Sequence, residues 1–75
     1  MWDSGVINLV DCIAEYEVEH YEEPSEFGFN HGKVSKLTIK INDEIVACYD
    51  RGWVVWPDTE LGLEAFMTVL RMYNH

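Results

Sequence analysis

Apolar and polar residues alternate most clearly over residues 12–21 of the chain. One side of this segment carries Cys12, Ala14, Tyr16, Val18 and His20, and the other carries Ile13, Glu15, Glu17, Glu19 and Tyr21. A period of two predicts a half-buried β-strand. The preceding residues 5–10 are also compatible with a strand. They either continue the same strand through a bulge at 8–11 or form a short strand of their own.

A second alternating segment covers residues 34–41 and predicts a strand followed by a hairpin. Its inward positions are Leu37, Ile39 and Ile41, and its outward positions are Lys36, Thr38 and Lys40. Asn42 and Asp43 supply a tight turn, after which residues 44–50 return as the partner strand. With glutamates on the first strand and lysines on this one, we expect cross-strand ion pairs, each contributing about 0.2 to 1 kcal/mol.

Residues 22–33 combine a proline, two glycines and an asparagine, which together predict a loop. Phe27 and Phe29 within it are expected to pack back onto the sheet.

The C-terminal segment has helical periodicity instead. Apolar residues recur at helical spacing over residues 59–73, namely Leu63, Phe66, Val69, Leu70 and Tyr73. Asp58, Thr59 and Glu60 place acceptors and negative charge at the expected N-terminus of the helix. Gly62 weakens the first turn by about 1 kcal/mol relative to alanine, which indicates a close contact there.

Together these elements predict one α+β domain over residues 1–75. Its architecture is an antiparallel β-meander of three to four strands, with the C-terminal helix packed on one face. The glutamates of the first long strand would then lie on the uncovered face.

The charge balance narrows the class of partner. The chain has 14 Asp and Glu against 5 Lys and Arg, for a net charge of −9, while apolar residues make up 48%. Such a chain folds, but it disfavours direct binding to nucleic acid or to anionic membranes, because both need basic side chains. A basic protein is the complementary partner. The alternative is that the charge only maintains solubility.

Several classes of site have no support in the sequence. The N-terminal residues show neither a signal peptide nor a membrane span, so we expect a cytoplasmic protein with Cys12 and Cys48 reduced. His20, His31 and His75 are too scattered for a closed zinc site. We find no nucleophile-base pattern and no phosphate-binding glycine loop, and therefore expect no enzyme activity, no metal and no cofactor.

The first candidate site is a row of glutamates. Alternate strand residues lie about 6.6 to 6.8 Å apart, close to the spacing of phosphates along a nucleic-acid strand, so the row can imitate a phosphate backbone. Its members, the candidate partner-binding residues, are Glu15, Glu17, Glu19, Glu22, Glu23 and Glu26. The alternative is a solvated face that Lys36 and Lys40 partly neutralise.

The second candidate site is the segment YDRGWVVW, residues 49–56. Arg51 offers a bidentate donor to a phosphate, and the aromatic rings offer stacking surfaces. The candidate ligand-binding residues are Tyr49, Asp50, Arg51, Trp53 and Trp56. In the structural alternative, Asp50 pairs with Arg51, Gly52 makes a turn, Trp53 fills the core, and the segment joins the sheet to the helix.

The chain resembles an uncharacterised family of short proteins from bacteria and their phages. The resemblance is carried by the motifs EPSEFGFNHGKVSKLTI and YDRGW, by a proline four residues after YDRGW, and by a terminal helix that ends in YN. The resemblance runs from about Glu23 onward and implies a phage or mobile-element context, with no established activity and no site residues.

The main hypothesis is thus an anti-defence protein, such as an anti-CRISPR-like inhibitor, that binds a basic nucleic-acid-binding host protein through its acidic surface. The alternatives are a nucleotide-signal sponge or sensor and a homo-oligomeric accessory protein.

Overall fold

The computed structural model describes residues 1–23 and 32–73. Within these ranges the strands are β1 Trp2–Asn8, β2 Ile13–His20, β3 Val34–Ile41, β4 Glu44–Asp50 and β5 Trp53–Val55, and the helix α1 is Glu60–Tyr73. The strands form one antiparallel sheet in the order β1-β2-β3-β4-β5. The predicted α+β meander with a C-terminal helix is confirmed, but the sheet has five strands and not three to four.

The outer strands β1 and β5 each arise from a chain reversal that the sequence alone did not establish. Residues 2–8 form a separate strand because the chain reverses after them, where the Leu9 N–H donates to the Cys12 carbonyl at 2.8 Å. At the other end, Arg51 has a φ of 57° and the Asp50 N–H donates to the Gly52 carbonyl at 2.8 Å. This second reversal makes residues 53–55 a strand, so the segment predicted to join sheet and helix contains a further hairpin.

The predicted turn between β3 and β4 is confirmed. Asn42 and Asp43 have φ values of 54° and 63°. Two successive residues with positive φ match the twist of an antiparallel hairpin, and Asn and Asp tolerate that conformation better than most residues.

One face of the sheet is covered by α1, and the core lies between them. The buried apolar residues are Ala14, Tyr16, Val18, Val34, Leu37, Ile39, Ala47, Ala65, Phe66, Val69 and Leu70. Ala47 comes from β4, and the others come from β2, β3 and one side of the helix; those of β2 occupy alternate positions, as a period of two predicts. The opposite face, which we call the open face, has no helix over it among the described elements.

The start of the helix shows why a glycine occupies its first turn. The Gly62 N–H donates to Thr59 Oγ1 at 3.0 Å, so Thr59 caps the helix. Gly62 is buried, and a Cβ there would lie 3.1 Å from Thr59 Oγ1 and 3.6 Å from the Cβ atoms of Pro57 and Val46. The predicted close contact at Gly62 is confirmed.

The predicted loop falls largely on residues 24–31. Glu26 and the expected packing of Phe27 and Phe29 lie outside the described residues. In the two described ranges, no helix is long and apolar enough to cross a membrane.

Candidate functional site

The open face is organised in rows that run across the strands, because paired residues of neighbouring strands project to the same side. The outer row contains Trp2, Glu19, Lys36 and Asp50; the middle row contains Ser4, Glu17, Thr38 and Cys48; and the inner row contains Val6, Glu15, Lys40 and Ile45. Each row therefore crosses β2 at one of its three glutamates.

The structure places the predicted glutamates unequally. Glu15 and Glu17 are exposed on the open face, and Glu19 is half-buried. Glu22 and Glu23 follow the end of β2 and line a separate depression with Met1, His20 and Tyr21. The fold thus brings Glu15, Glu17 and Glu19 into one row along β2, with Glu22 and Glu23 beyond its end.

The lysines of β3 neutralise this row only on one side. Lys40 lies opposite Glu15 and Lys36 lies opposite Glu19, whereas Glu17 lies opposite Thr38. The ion pair that Lys36 forms is with Asp50 of β4, at 3.8 Å, and its ammonium also lies 5.9 Å from the Trp2 ring centroid. The expected glutamate-lysine pairs do not reach 4 Å between described residues, and Lys36 pairs with Asp50 instead.

Beside the glutamates lies a groove that the sequence did not reveal. Two adjoining depressions of about 260 Å³ and 290 Å³ share Ser4 and Glu17. Trp2 lines one and Val6 the other, and both side chains are well exposed, at 57% and 61%. Trp2 and Ser4 were missed because the predicted strand began no earlier than residue 5, whereas β1 begins at Trp2. Residues 2–7 carry no clean alternation of apolar and polar residues, since Trp2, Ser4 and Val6 on one side and Asp3, Gly5 and Ile7 on the other each mix both types.

Strand alternation divides the second candidate site between the two faces. Tyr49 and Trp53 pair across β4 and β5 with ring centroids 5.4 Å apart, and Trp53 also lies 4.9 Å from Phe66 of the helix. The Asp50 carboxylate projects to the open face, toward Lys36. The expected ion pair between Asp50 and Arg51 is therefore replaced by one between Asp50 and Lys36.

The other two residues of this candidate site are accessible. Arg51 is exposed at the β4–β5 turn, and its backbone N–H donates to the Ser35 carbonyl at 3.1 Å. Trp56 is 63% exposed, and its ring centroid lies 4.6 Å from that of Trp53. An aromatic cluster of Tyr49, Trp53 and Trp56 is thus present, and Arg51 is exposed in the turn between Tyr49 and Trp53.

A polar cluster at the end of the helix was also missed. The hydroxyls of Tyr16 and Tyr73 lie 3.1 Å apart, His20 Nε2 lies 3.0 Å from Asp3 Oδ2, and the His20 and Tyr73 rings are 4.8 Å apart. The hydrogen bond with Tyr16, followed by burial, raises the pKa of Tyr73 to about 12. The cluster ties β1, β2 and the end of α1 together, which gives it a structural role.

Metal ligation has no support in the part of the chain that the structure describes, since no three His, Cys, Asp or Glu residues are grouped to hold an ion. Cys12 and Cys48 are free thiols, and both are half-buried.

The comparison with known proteins gives a family and no activity. No curated protein and no solved structure matches the chain significantly. A family model described as a domain of unknown function, DUF7678, matches residues 1–74. The chain therefore belongs to the DUF7678 family.

Proposed function

We propose that this chain is a non-catalytic anti-defence protein of phage or mobile-element origin that binds a basic, nucleic-acid-binding host protein through its open face. The observation that carries the proposal is the row of Glu15, Glu17 and Glu19 along β2, on a sheet face that α1 leaves uncovered. The phage context rests on the sequence resemblance alone.

The geometry suits competition with a nucleic acid. The three carboxylates follow each other at the two-residue repeat of a strand, about 6.6 to 6.8 Å, which is near the phosphate spacing. A nucleic-acid-binding groove of the partner, lined by lysines and arginines, would therefore contact carboxylates at nearly the spacing of the phosphates that it normally binds. The net charge of −9 also attracts such a partner over a distance and accelerates encounter.

The proposal is tested with two variants of equal charge. One replaces the glutamates of the row (E15Q, E17Q, E19Q), and the other neutralises three exposed acids elsewhere (E44Q, D58N, E64Q). Both proteins and the wild type are used to capture partners from a bacterial host. Each captured protein is then assayed for nucleic-acid binding with and without the chain.

The proposal requires that wild type and the control variant displace nucleic acid from the captured protein, and that the row variant does so much less well. Affinity should fall steeply as salt is raised, since the contacts are ionic. A partner that binds the row variant as tightly as the wild type would contradict the proposal. A partner with no affinity for nucleic acid would also do so.

A nucleotide sponge or sensor is the second candidate, and the joint exposure of Arg51 and Trp56 favours it. Arg51 can donate two hydrogen bonds to a phosphate while a base stacks on Trp56. Thermal-shift measurements with a panel of mononucleotides and cyclic dinucleotides test it. A ligand at 100 times its Kd should add about 2.7 kcal/mol to the stability of the wild type, and R51Q should lose most of that gain. The absence of a shift across the panel would remove this candidate.

A further inference from the structure

We infer that the groove beside β1 is a receptor for an arginine side chain of the protein partner, with the Glu17 carboxylate as its anchor. We call it the Ser4 groove; its lining includes Trp2, Ser4, Val6, Glu15 and Glu17, together with Lys40 of β3. The inference rests on the proposed function and adds to it the residue type that the partner presents and the place where it binds.

The charge distribution across the glutamate row points to this side of the sheet. Both lysines of the open face lie on β3, on one side of the row. On the other side, β1 presents Trp2, Ser4 and Val6 opposite the three glutamates, and none of these is charged. A cation that approaches over Ser4 and Val6 of β1 therefore meets uncharged side chains before the carboxylates, while Lys40 lines the groove from β3 and the Lys36 ammonium lies 5.9 Å from the Trp2 ring.

Glu17 is the member of the row best placed to bind a new cation. Its cross-strand neighbours are Ser4 and Thr38, whereas Glu15 faces Lys40 and Glu19 faces Lys36. Lys40 and Lys36 lie beyond the 4 Å of an ion pair, but across the strand pair their positive charges still lower the negative potential at Glu15 and Glu19. Glu17 has no such compensation from its direct neighbours.

The shape of the groove admits a long, thin side chain. Ser4 is short and lies between Trp2 and Val6, whose larger exposed side chains flank it on β1. The two depressions that meet at Ser4 and Glu17, of about 260 Å³ and 290 Å³, provide room for an alkyl chain that ends at the carboxylate.

The lining fits guanidinium better than ammonium. A guanidinium can donate two parallel hydrogen bonds to the Glu17 carboxylate and still donate to the hydroxyl oxygen of Ser4. Its planar group also stacks on an indole, and Trp2 is 57% exposed. Lys36 lies 5.9 Å from that ring, but Asp50 engages its charge.

The test uses a small probe and so does not depend on identifying the partner. N-acetyl-arginine amide is titrated into the 15N-labelled chain, with N-acetyl-lysine amide as the comparison probe, and amide and indole shifts are followed by NMR. We expect saturable shifts centred on Trp2, Ser4 and Glu17, with arginine binding more tightly than lysine. E17Q should weaken arginine binding by about fivefold, the upper range for an exposed ion pair. E64Q, an equal charge change on the exposed side of the helix, should leave it unchanged.

Equal binding of the two probes, or equal effects of E17Q and E64Q, would overturn the inference. Shifts that spread over all acidic residues without saturation would do the same. These outcomes are separate from a failure of the proposed function, which is measured by displacement of nucleic acid from a host protein. If the glutamate row competes with nucleic acid but the arginine probe shows no localised binding, the proposed function stands and the arginine receptor is refuted.

Discussion

Gly5 is the residue whose identity the fold restricts most visibly. A Cβ at this position would lie 2.8 Å from Tyr16 Oη and 3.0 Å from its Cζ. Tyr16 cannot easily move away, because its ring is buried and its hydroxyl lies 3.1 Å from that of Tyr73. The glycine in β1 thus makes room for the contact between β2 and the helix.

Replacing Gly5 by alanine should therefore destabilise the protein. Overpacking costs about 1 to 3 kcal/mol, which exceeds the 0.4 to 1 kcal/mol or so gained by restricting the unfolded chain. The measurement is the urea midpoint of unfolding. S4A, on the adjacent exposed position, is the control and should stay within about 0.5 kcal/mol of wild type. A G5A variant as stable as S4A would show that Tyr16 is free to shift.

Tyr73 predicts a specific loss of stability in alkali. Its pKa is about 12 in the folded chain against 10.0 for the free side chain, so the unfolded state releases the proton first as the pH rises. The stabilising contribution is complete below pH 10 and is lost as the pH rises through 12. The stability difference between wild type and Y73F should accordingly shrink between pH 9 and pH 12. A constant difference over this range, measured by urea unfolding, would contradict the assignment.

At the scale of single elements, the stability of α1 depends on the cap at Thr59, which is separate from the packing of its apolar face. The Thr59 hydroxyl accepts the Gly62 N–H, and the Leu63 N–H donates to the Thr59 carbonyl at 3.0 Å. With a glycine in its first turn the helix lacks the propensity to begin unaided.

We expect T59A to lower the free energy of unfolding by about 1 kcal/mol, because the Gly62 N–H loses its partner. T59S keeps the hydroxyl and should restore most of the stability. Chemical denaturation followed by circular dichroism measures both. If the serine variant were as unstable as the alanine variant, the methyl group of Thr59 and not its cap would be responsible.

The excess of acid dominates the molecule as a whole. With a net charge of −9, the folded chain repels itself. Lys36–Asp50, at 3.8 Å, is a local ion pair that salt can weaken. Screening should thus relieve more repulsion than it removes attraction.

The free energy of unfolding should then rise as sodium chloride is increased from 0.01 to 0.2 M. The row variant (E15Q, E17Q, E19Q) carries three fewer negative charges and should show a smaller rise. Sodium chloride is preferred to sulfate, which stabilises proteins through exclusion from their surface. A fall in stability over this range would mean that local attractions outweigh the net charge.

The prediction of a homo-oligomer also belongs to the whole molecule and stays a prediction. β1 and β5 are the edge strands of the sheet, and the short β5 is followed by the exposed Trp56. Unpaired strand edges are common places for a second copy to bind. Light scattering at several concentrations decides between a monomer and a dimer.

Sequence reasoning was most successful where a local rule applied. Three features depend only on residues that are close in the chain, so the sequence predicts them: the period of two in β2 and β3, the Asn42–Asp43 turn, and the period of 3.6 in α1. The prediction left β1 open, as one of two alternatives over residues 5–10, and missed β5, because a turn can be followed by a strand or by a connection, and the difference lies in whether a partner strand is available. The later start predicted for β1 also concealed the Ser4 groove.

The sequence by itself determined the α+β class, the hairpin of β3 and β4, the capped amphipathic helix and the alternation that puts three glutamates on one side of β2. Only the tertiary structure decided which neighbours those glutamates have. Strand register placed Thr38 and Ser4 beside Glu17, and it directed Lys36 toward Asp50. The physical reason is that backbone periodicity is a local property, whereas charge compensation depends on pairing between residues that are distant in the chain.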